Sequence, residues 1–202
     1  MVGGGCAGAA AGIQAARSGA RTLVCEETPW LGGMITAAGV SAIDGNEGAL
    51  GGGIYRAFRD AMEAHYGGRE AVRTGWVSNT CFEPDLAARW FRDEVAAAGA
   101  EVLHGARLTE VLRDGDTVLG AAFETAEGAL EVRAKVTVEV TEYGDVLKLG
   151  GVPYRFGREA RAQTGEPHAP DAPDLEIQDL TMVATLRRFD GAAPAVPLPE
   201  GF

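Results

Sequence analysis

The sequence predicts an α/β fold: a Rossmann-like, doubly wound parallel sheet with an inserted β-meander and a first strand that is nearly missing. Three observations predict it. A glycine-rich turn at the amino end is followed at once by an alanine-rich helix and then by a short apolar strand. A second amphipathic helix, over 85–98, leads into another short strand. Three strands separated by tight turns follow, a pattern typical of an antiparallel meander.

The first element is a glycine loop that opens a helix. Gly3, Gly5 and Gly8 form the pattern G-x-G-x-x-G, and the alanine-rich residues 6–18 end before Gly19. In such a loop the first glycine permits the tight turn, the second lets the backbone approach a pyrophosphate, and the third lets the helix lie close to the sheet. The helix amino end adds free backbone N–H groups and a positive dipole end. The loop therefore predicts a diphosphate site.

An acidic residue follows the next strand at the spacing that a dinucleotide site requires. Thr22 to Cys25 form a short apolar strand, and Glu26 stands 18 positions beyond Gly8. A carboxylate here can accept hydrogen bonds from ribose hydroxyls and would repel a 2′-phosphate. The alternative, a glycine-rich turn with a surface glutamate, does not explain why helix, strand and acid all fall at this spacing. The first fifty residues therefore predict a site for the ADP half of a dinucleotide.

The remaining elements extend this domain to about residue 150. Residues 30–53 form a long glycine-rich stretch that we interpret as a binding loop. Hydrophobic spacing and turn residues predict two helices and then four strands, over 54–66 and 85–98, and over 101–104, 107–113, 117–125 and 129–135. We expect the dinucleotide-binding unit to occupy 1–150, with its meander at about 107–135. The proline-rich residues 151–202, with one more predicted strand over Leu180 to Phe189, would begin a substrate-facing domain that is incomplete.

Composition excludes several classes of partner. The 202 residues carry a formal net charge of −11 and a sequence pI of about 4.7, which disfavours nucleic acid and anionic membrane surfaces. No stretch reaches the roughly 20 apolar residues that a membrane span needs. Cys6, Cys25 and Cys81 are too few and too widely spaced for a disulfide framework or a zinc site, so we expect reduced thiols and no metal. A small-molecule substrate is the expected partner.

Further motifs resemble a known family. Leu31-Gly32-Gly33-Met34 is similar to the glycine pair of flavoproteins of the glutathione-reductase-like superfamily. The run Val140-Thr141-Glu142-Tyr143-Gly144-Asp145, and Gly157-Arg158-Glu159 after it, resemble bacterial FAD-dependent oxidoreductases with an Ala-Thr-Gly-Asp-Gly-Asp-type turn. The resemblance runs from residue 2 to about 190 and rests on at least four separate motifs. It implies an FAD-binding domain of the glutathione-reductase-like type, FAD as cofactor, and an oxidoreductase that transfers hydride through the flavin.

The resemblance also implies roles for individual residues around the cofactor. The pyrophosphate would be lined by the glycine loop, the adenosine ribose held by Glu26, and the middle of the cofactor followed by the glycine pair. Leu108 would place its backbone near adenine, and the turn after Val140 would close the other side. The implied cofactor-binding residues are Gly3, Gly5, Cys6, Ala7, Gly8, Glu26, Gly32, Gly33, Met34, Leu108, Thr141 and Asp145.

The chain departs from the family pattern in two ways. Val140 and Glu142 replace the smaller residues usual in the turn, and Glu142 is expected to crowd or repel phosphate. Only Met1 and Val2 precede the glycine loop, where family members have a full hydrophobic strand, and no late glycine-aspartate motif follows. We therefore expect a fragment that is truncated at both ends. The sequence does not begin with a secretory leader, so we expect a cytoplasmic location.

Two alternatives remain open at this point. An NAD-dependent dehydrogenase shares the glycine loop and the acidic residue, but the glycine pair and the meander count against it. A truncated, non-catalytic remnant is the other, because losing most of a central strand exposes backbone and apolar surface on its neighbours. A dithiol mechanism is not expected, since Met34 to Val40 contains no cysteine. The catalytic residues stay unknown, because no acid, base or nucleophile stands out.

Overall fold

A parallel sheet at the amino end organises the structure. The computed structural model describes residues 1–46, 51–73, 78–184, 186 and 188–197. Its elements in chain order are α1 (Cys6–Arg17), β1 (Leu23–Glu26), a 3-10 turn (Gly33–Ile35), β2 (Ala42–Ile43), α2 (Gly53–Tyr66), α3 (Arg69–Val72), β3 (Thr80–Cys81), α4 (Pro84–Ala97), β4 (Glu101–His104), β5 (Arg107–Asp114), β6 (Thr117–Thr125), β7 (Gly128–Arg133), α5 (Asp145–Leu149) and α6 (Arg161–Thr164).

The residues before the glycine loop take a central place in this sheet. β1 pairs in parallel with β4, with Leu23 opposite Glu101. On the other side of β1, Val2 bridges in parallel to both Cys25 and Glu139. The Val2 N–H donates to the Val138 carbonyl at 3.0 Å, and the Val2 carbonyl accepts from the Val140 N–H at 3.0 Å. The order is therefore β4, β1, Val2 and Glu139, and the glycine loop begins between two neighbours.

The stretch that contains Val136, Val138 and Val140 alternates apolar and polar residues, as a strand does, but it forms only this bridge. Val136 is exposed, and only Glu139 in this stretch pairs through the bridge to Val2. A strand forms where a neighbouring backbone supplies hydrogen bonds, and here that neighbour spans only a few residues. The alternation of apolar residues alone does not make the strand.

The helices cover one face of the parallel sheet. Ile13 of α1 and Val24 of β1 are fully buried in the same cluster as Phe58 of α2 and Phe91 of α4. A Cβ at Gly12 would lie 2.7 Å from Val24 Cγ2, so the glycine lets α1 approach β1 closely. The Phe58 ring lies 5.0 to 5.8 Å from the rings of its three aromatic neighbours, Phe82, Trp90 and Phe91. Such contacts add to the free energy of burial.

The meander covers the opposite face. Its strands pair in the order β5, β6, β7, all antiparallel. Phe123 and Val111 of the meander are buried in a second cluster with Cys25 of β1 and Val146 of α5. Side chains alternate across a strand, so neighbouring residues of β1 serve the two clusters. The prediction of an α/β fold with a parallel sheet is confirmed. In the described parts of the chain, however, the meander and the short α5 form the second covering layer, in place of another layer of long helices.

The carboxyl-terminal part has little regular structure. Apart from α6, the regular structure of the described residues after 150 is one isolated β-bridge between Arg158 and Asp174. The strand predicted over Leu180 to Phe189 is wrong for 180–184, 186, 188 and 189, and residues 185 and 187 lie outside the described residues. Leu180 and Met182 are almost fully exposed, so no neighbouring strand covers this run. Within the described ranges, the helices are all too short or too polar to cross a membrane.

Candidate functional site: an uncapped helix end in a glycine cradle

The glycine loop brings the amino end of α1 against the sheet. Gly3 has a φ of 103°, in the left-handed region that favours glycine. A Cβ at Gly8 would overlap the Gly3 carbonyl and lie 3.2 Å from Val140 Cγ2, so the helix start tolerates no side chain here. These contacts match the predicted roles of the first and third glycines of the loop. They place the first turn of α1 directly beside the residue 140 turn.

The first turn of α1 carries the features of an anion site. Gly5 is the N-cap, no side chain among the described residues caps the helix, and its first turn holds no acidic residue. The Ala9 N–H bonds back to the Gly5 carbonyl at 2.9 Å, which leaves the amide groups before Ala9 at the helix end. Ala7 is exposed, and Cys6 is half-buried. Backbone N–H groups and the helix dipole therefore point outward at a place where an anion would be favoured.

Glu26 lies behind the loop, at the end of β1. Its side chain is buried, its Oε2 accepts a hydrogen bond from the Gly4 N–H at 2.7 Å, and its Oε1 accepts one from the Thr28 N–H at 2.8 Å. The carboxylate thus fixes the glycine loop to the end of β1. Each oxygen has lone pairs beyond these bonds, so a ribose hydroxyl could still donate to it. The predicted ribose contact stays a prediction.

The glycine pair, Gly32 and Gly33, lies against the glycine loop and faces the start of α1. The Gly32 N–H donates to the Gly4 carbonyl at 2.8 Å, and Gly32 has a φ of 105°. A Cβ at Gly33 would lie 2.9 Å from the Gly5 Cα, so the two segments approach to a distance that only glycines allow. Met34, next in the chain, is exposed. We call the space bounded by Gly5, Gly33 and the start of α1 the cradle.

Cys6 ties the two walls of the cradle together. Its Sγ donates to the Gly32 carbonyl at 2.9 Å. Burial raises the pKa of the Cys6 thiol and the nearby Glu142 charge raises it further, whereas hydrogen bonds with the Ile35 and Cys6 backbone lower it, and the net shift is upward. The thiol therefore stays protonated and acts as a donor. This is consistent with the predicted reduced state, and all three cysteines are free.

The turn after Val140 closes the third side, and Glu139 holds that turn. One Glu139 carboxylate oxygen accepts from the Thr141 N–H at 2.5 Å, and the other accepts from the Val146 N–H at 2.7 Å. The Thr141 hydroxyl in turn accepts from the Asp145 N–H at 2.8 Å. Thr141 and Asp145 thus shape the turn and the start of α5. Sequence reasoning missed Glu139, although an acidic residue on the polar side of a valine alternation, just before a turn, was a usable signal.

Glu142 projects from this turn into the cradle. A Cβ at Gly5 or at Gly33 would overlap the same Glu142 carboxylate oxygen, and each would lie 3.3 Å from Glu142 Cδ. The carboxylate therefore stands between the two glycines, where the sequence predicts a diphosphate. The residue as a whole is exposed. The expectation that Glu142 crowds the phosphate site agrees with this placement.

Leu108 lies beyond Glu26, near the start of β5. The Glu26 carbonyl accepts from the Ala106 N–H at 3.0 Å, and this bond holds the start of β5 beside the end of β1. Leu108 pairs with Phe123 near the start of β5 and packs on the second cluster. The fold thus places the predicted residues in a row. The turn after Val140 comes first, the cradle lies next to it, and Glu26 and then Leu108 follow.

Other polar groups of the described chain show no catalytic arrangement. Arg158 bonds to Asp174 and lies 3.0 Å from Glu176, so its charge is already paired. The His104 ring Nδ1 lies 3.0 Å from the Thr28 carbonyl, as befits a structural residue. In the ranges that the structure describes, no three acidic, histidine or cysteine side chains are grouped closely enough to hold a metal ion.

Comparison with known proteins identifies the family to which the sequence is similar. Residues 1–196 match the profile of a family described as FAD dependent oxidoreductase. No curated protein has a significant match to the sequence.

Solved structures share the fold at low identity. CabE, an aromatic hydroxylase from angucycline biosynthesis, is 20% identical with a TM-score of 0.55, over 79% of this chain and 34% of its own. The flavin-dependent brominase Bmp2 is 17% identical with a TM-score of 0.55, over 74% and 39%. A flavoprotein/dehydrogenase from Cytophaga hutchinsonii is 17% identical with a TM-score of 0.54, over 77% and 42%. The chain thus spans well under half the length of these structures.

Proposed function

This chain belongs to the family of FAD-dependent oxidoreductases, and we propose that it is the part of such an enzyme that binds the ADP half of FAD. The observation that carries the proposal is the uncapped start of α1, which faces a glycine pair across the cradle. A diphosphate there would meet backbone N–H groups and the positive end of the helix dipole. Glu26, at the end of the adjacent strand, stands where the adenosine ribose would follow.

The residues present fit a diphosphate on one condition. The cradle is lined by glycines, so a ligand could approach its backbone closely, but the Glu142 carboxylate now stands in it. Because Glu142 is exposed, its side chain can turn toward solvent without disturbing the core. With Glu142 turned away, Gly5, Cys6, Ala7 and Gly8 would hold the diphosphate together with Gly33.

The other predicted residues would extend this contact along the cofactor. Gly32 and Met34 would border its middle, and Leu108 would present backbone to adenine beyond Glu26. Gly3 permits the turn into the cradle, while Thr141 and Asp145 hold its third side. Bound FAD supplies two-electron hydride chemistry, and the role of this chain is to bind and orient it. The substrate and the catalytic residues are not assigned.

The domain division follows from the same proposal. Residues 1–150 would be the FAD-binding domain of the glutathione-reductase-like type, with the meander on the sheet face opposite α1. Residues 151–202 would begin the substrate-facing part, of which 198–202, 185 and 187 lie outside the described residues. Support comes from the two hydrophobic clusters, which both lie within the first 150 residues.

A binding measurement tests the proposal directly. The purified chain is titrated with FAD and, separately, with NADH, and binding is followed by calorimetry and by the flavin absorbance band. We expect FAD to bind and NADH to bind much more weakly. A Gly8→Val variant would push a side chain into the Gly3 carbonyl and abolish FAD binding, whereas Gly191→Val, with open space around it, would not.

Each outcome decides between the proposal and its alternatives. Tight NADH binding without FAD binding would favour a dehydrogenase that uses NAD. Binding of neither cofactor by a folded chain would favour a non-catalytic remnant. Retained FAD affinity in Gly8→Val would show that the cofactor sits elsewhere.

A further inference from the structure

The cradle already holds an anion that belongs to the chain itself. We propose that Glu142 is an internal occupant of the diphosphate site: in the free chain its carboxylate fills the cradle, and FAD must displace it to bind. This inference rests on the proposed function and adds to it a built-in competitor. It makes Glu142 a determinant of how tightly and how selectively the site binds diphosphates.

The position of the carboxylate carries the inference. One oxygen would be overlapped by a Cβ at either Gly5 or Gly33, so it lies in the narrowest part of the cradle. The two glycines approach closely enough that a Cβ at Gly33 would lie 2.9 Å from the Gly5 Cα. A diphosphate cannot enter this gap while the carboxylate is there, because the space is taken and the charges repel.

The electrostatics of the helix end explain why the carboxylate stays. No side chain of the described residues caps α1, and its first turn holds no acidic residue. A carboxylate near the first turn of a helix is stabilised by the dipole. Glu26 does not take this place, because its two oxygens accept from the Gly4 and Thr28 N–H groups. The Glu142 carboxylate is thus the negative charge that lies at the amino end of α1 and interacts favourably with the helix dipole.

The geometry of the turn explains how the carboxylate can leave. Glu139 holds the backbone on both sides of Glu142, through the N–H groups of Thr141 and Val146. The Glu142 side chain, in contrast, is exposed and not part of either hydrophobic cluster. Displacement therefore requires rotation of one side chain and no rearrangement of the fold. A ligand that competes with a resident group shows an affinity reduced by the fraction of open sites.

Removing the charge at position 142 tests the inference. FAD, ADP and adenosine are titrated into the 202-residue chain and into Glu142→Gln and Glu142→Ala variants. We expect FAD and ADP to bind about fivefold more tightly to both variants, the size of a helix-dipole interaction with one carboxylate. Adenosine has no phosphate, and its affinity is expected to stay the same. Glu127→Gln is the matched control, because it removes one charge from the exposed turn between β6 and β7.

A second readout needs no nucleotide. Without ligand, Glu142→Gln is expected to melt below the wild-type chain, because the helix end loses its anion, while Glu127→Gln does not. Inorganic pyrophosphate is then expected to raise the Tm of Glu142→Gln more than that of the wild-type chain. A lower Tm without ligand together with a larger rise in Tm on adding pyrophosphate would not arise from a residue that merely supports the turn.

The outcomes separate this inference from the proposed function. If the wild-type chain binds FAD and Glu142→Gln binds it equally or more weakly, the internal occupant is overturned and the FAD site stands. If FAD and ADP bind to none of the folded variants, the proposed function fails and takes the inference with it. Binding by Glu142→Gln alone would support both.

Discussion

The first 150 residues and the residues after them differ in how far their large apolar side chains are buried. In the first region, Ile13 and Val24 are fully buried and Phe58 is 3% exposed. In the second, Leu180 is 97% exposed and Met182 is 96% exposed. Both regions contain large apolar residues, so apolar content is not what separates them. Two buried clusters form in the first region, whereas most large apolar side chains in the described part of the second are exposed.

The rigidity of the site comes from the first region. The cradle is formed between Gly5 and Gly33, both in the first region, and the third wall is the turn at 140–145. Each wall is tied to the parallel sheet by backbone hydrogen bonds or packed against it. The second region contributes none of these walls. Stability and cofactor binding should therefore respond to changes in the first region and not in the second.

The strongest contrast is expected for large core side chains. Phe58→Ala removes a ring that contacts three other aromatic rings and should lower the free energy of unfolding by about 3–5 kcal/mol. Leu180→Ala, its counterpart in the second region, should change it by less than about 0.5 kcal/mol. Urea unfolding followed by circular dichroism measures both. Comparable losses would mean that the second region has a core of its own.

A smaller contrast is expected for added volume at glycines. Gly12→Val would force Val24 out of its packing and should cost about 1–3 kcal/mol, because a close-packed interior resists insertion. Gly191→Val adds the same atoms where the structure has open space, and it should be neutral. The Tm of each variant relative to the wild-type chain is the measurement. A neutral Gly12→Val would show that α1 does not press on β1 as described.

The smallest contrast concerns polar contacts. In Glu139→Gln the side-chain NH2 group cannot accept a hydrogen bond, so one of the two bonds to backbone N–H groups is lost and the other loses its charge. The substitution should lower stability by about 1–2 kcal/mol. It should also weaken FAD binding, since the turn that closes the cradle loosens. Asp174→Asn breaks an exposed ion pair with Arg158 and should leave the Tm unchanged within error. An equal loss in the two variants would contradict the view that only the first region depends on its polar network.

Some of this architecture is determined by short stretches of sequence. The helical period and the flanking glycines place α1, α2 and α4 within a residue or two of their observed bounds. Turn residues place the meander equally well, and Thr117–Thr125 is the predicted strand. The G-x-G-x-x-G spacing predicts the close contacts of Gly3 and Gly8. These features are local, because each depends on backbone preferences and side chains only a few residues apart.

Other features were decided only when distant segments came together. The strand predicted over Leu180 to Phe189 does not form in its described residues, because alternation makes a strand only where another strand supplies hydrogen bonds. The place of Val2 between Cys25 and Glu139 depends on two segments far along the chain. So does the carboxylate of Glu142 between Gly5 and Gly33. An anion-binding helix end can be predicted from local sequence, whereas long-range folding places the Glu142 carboxylate in front of it, because charge and space are shared only between groups that folding makes neighbours.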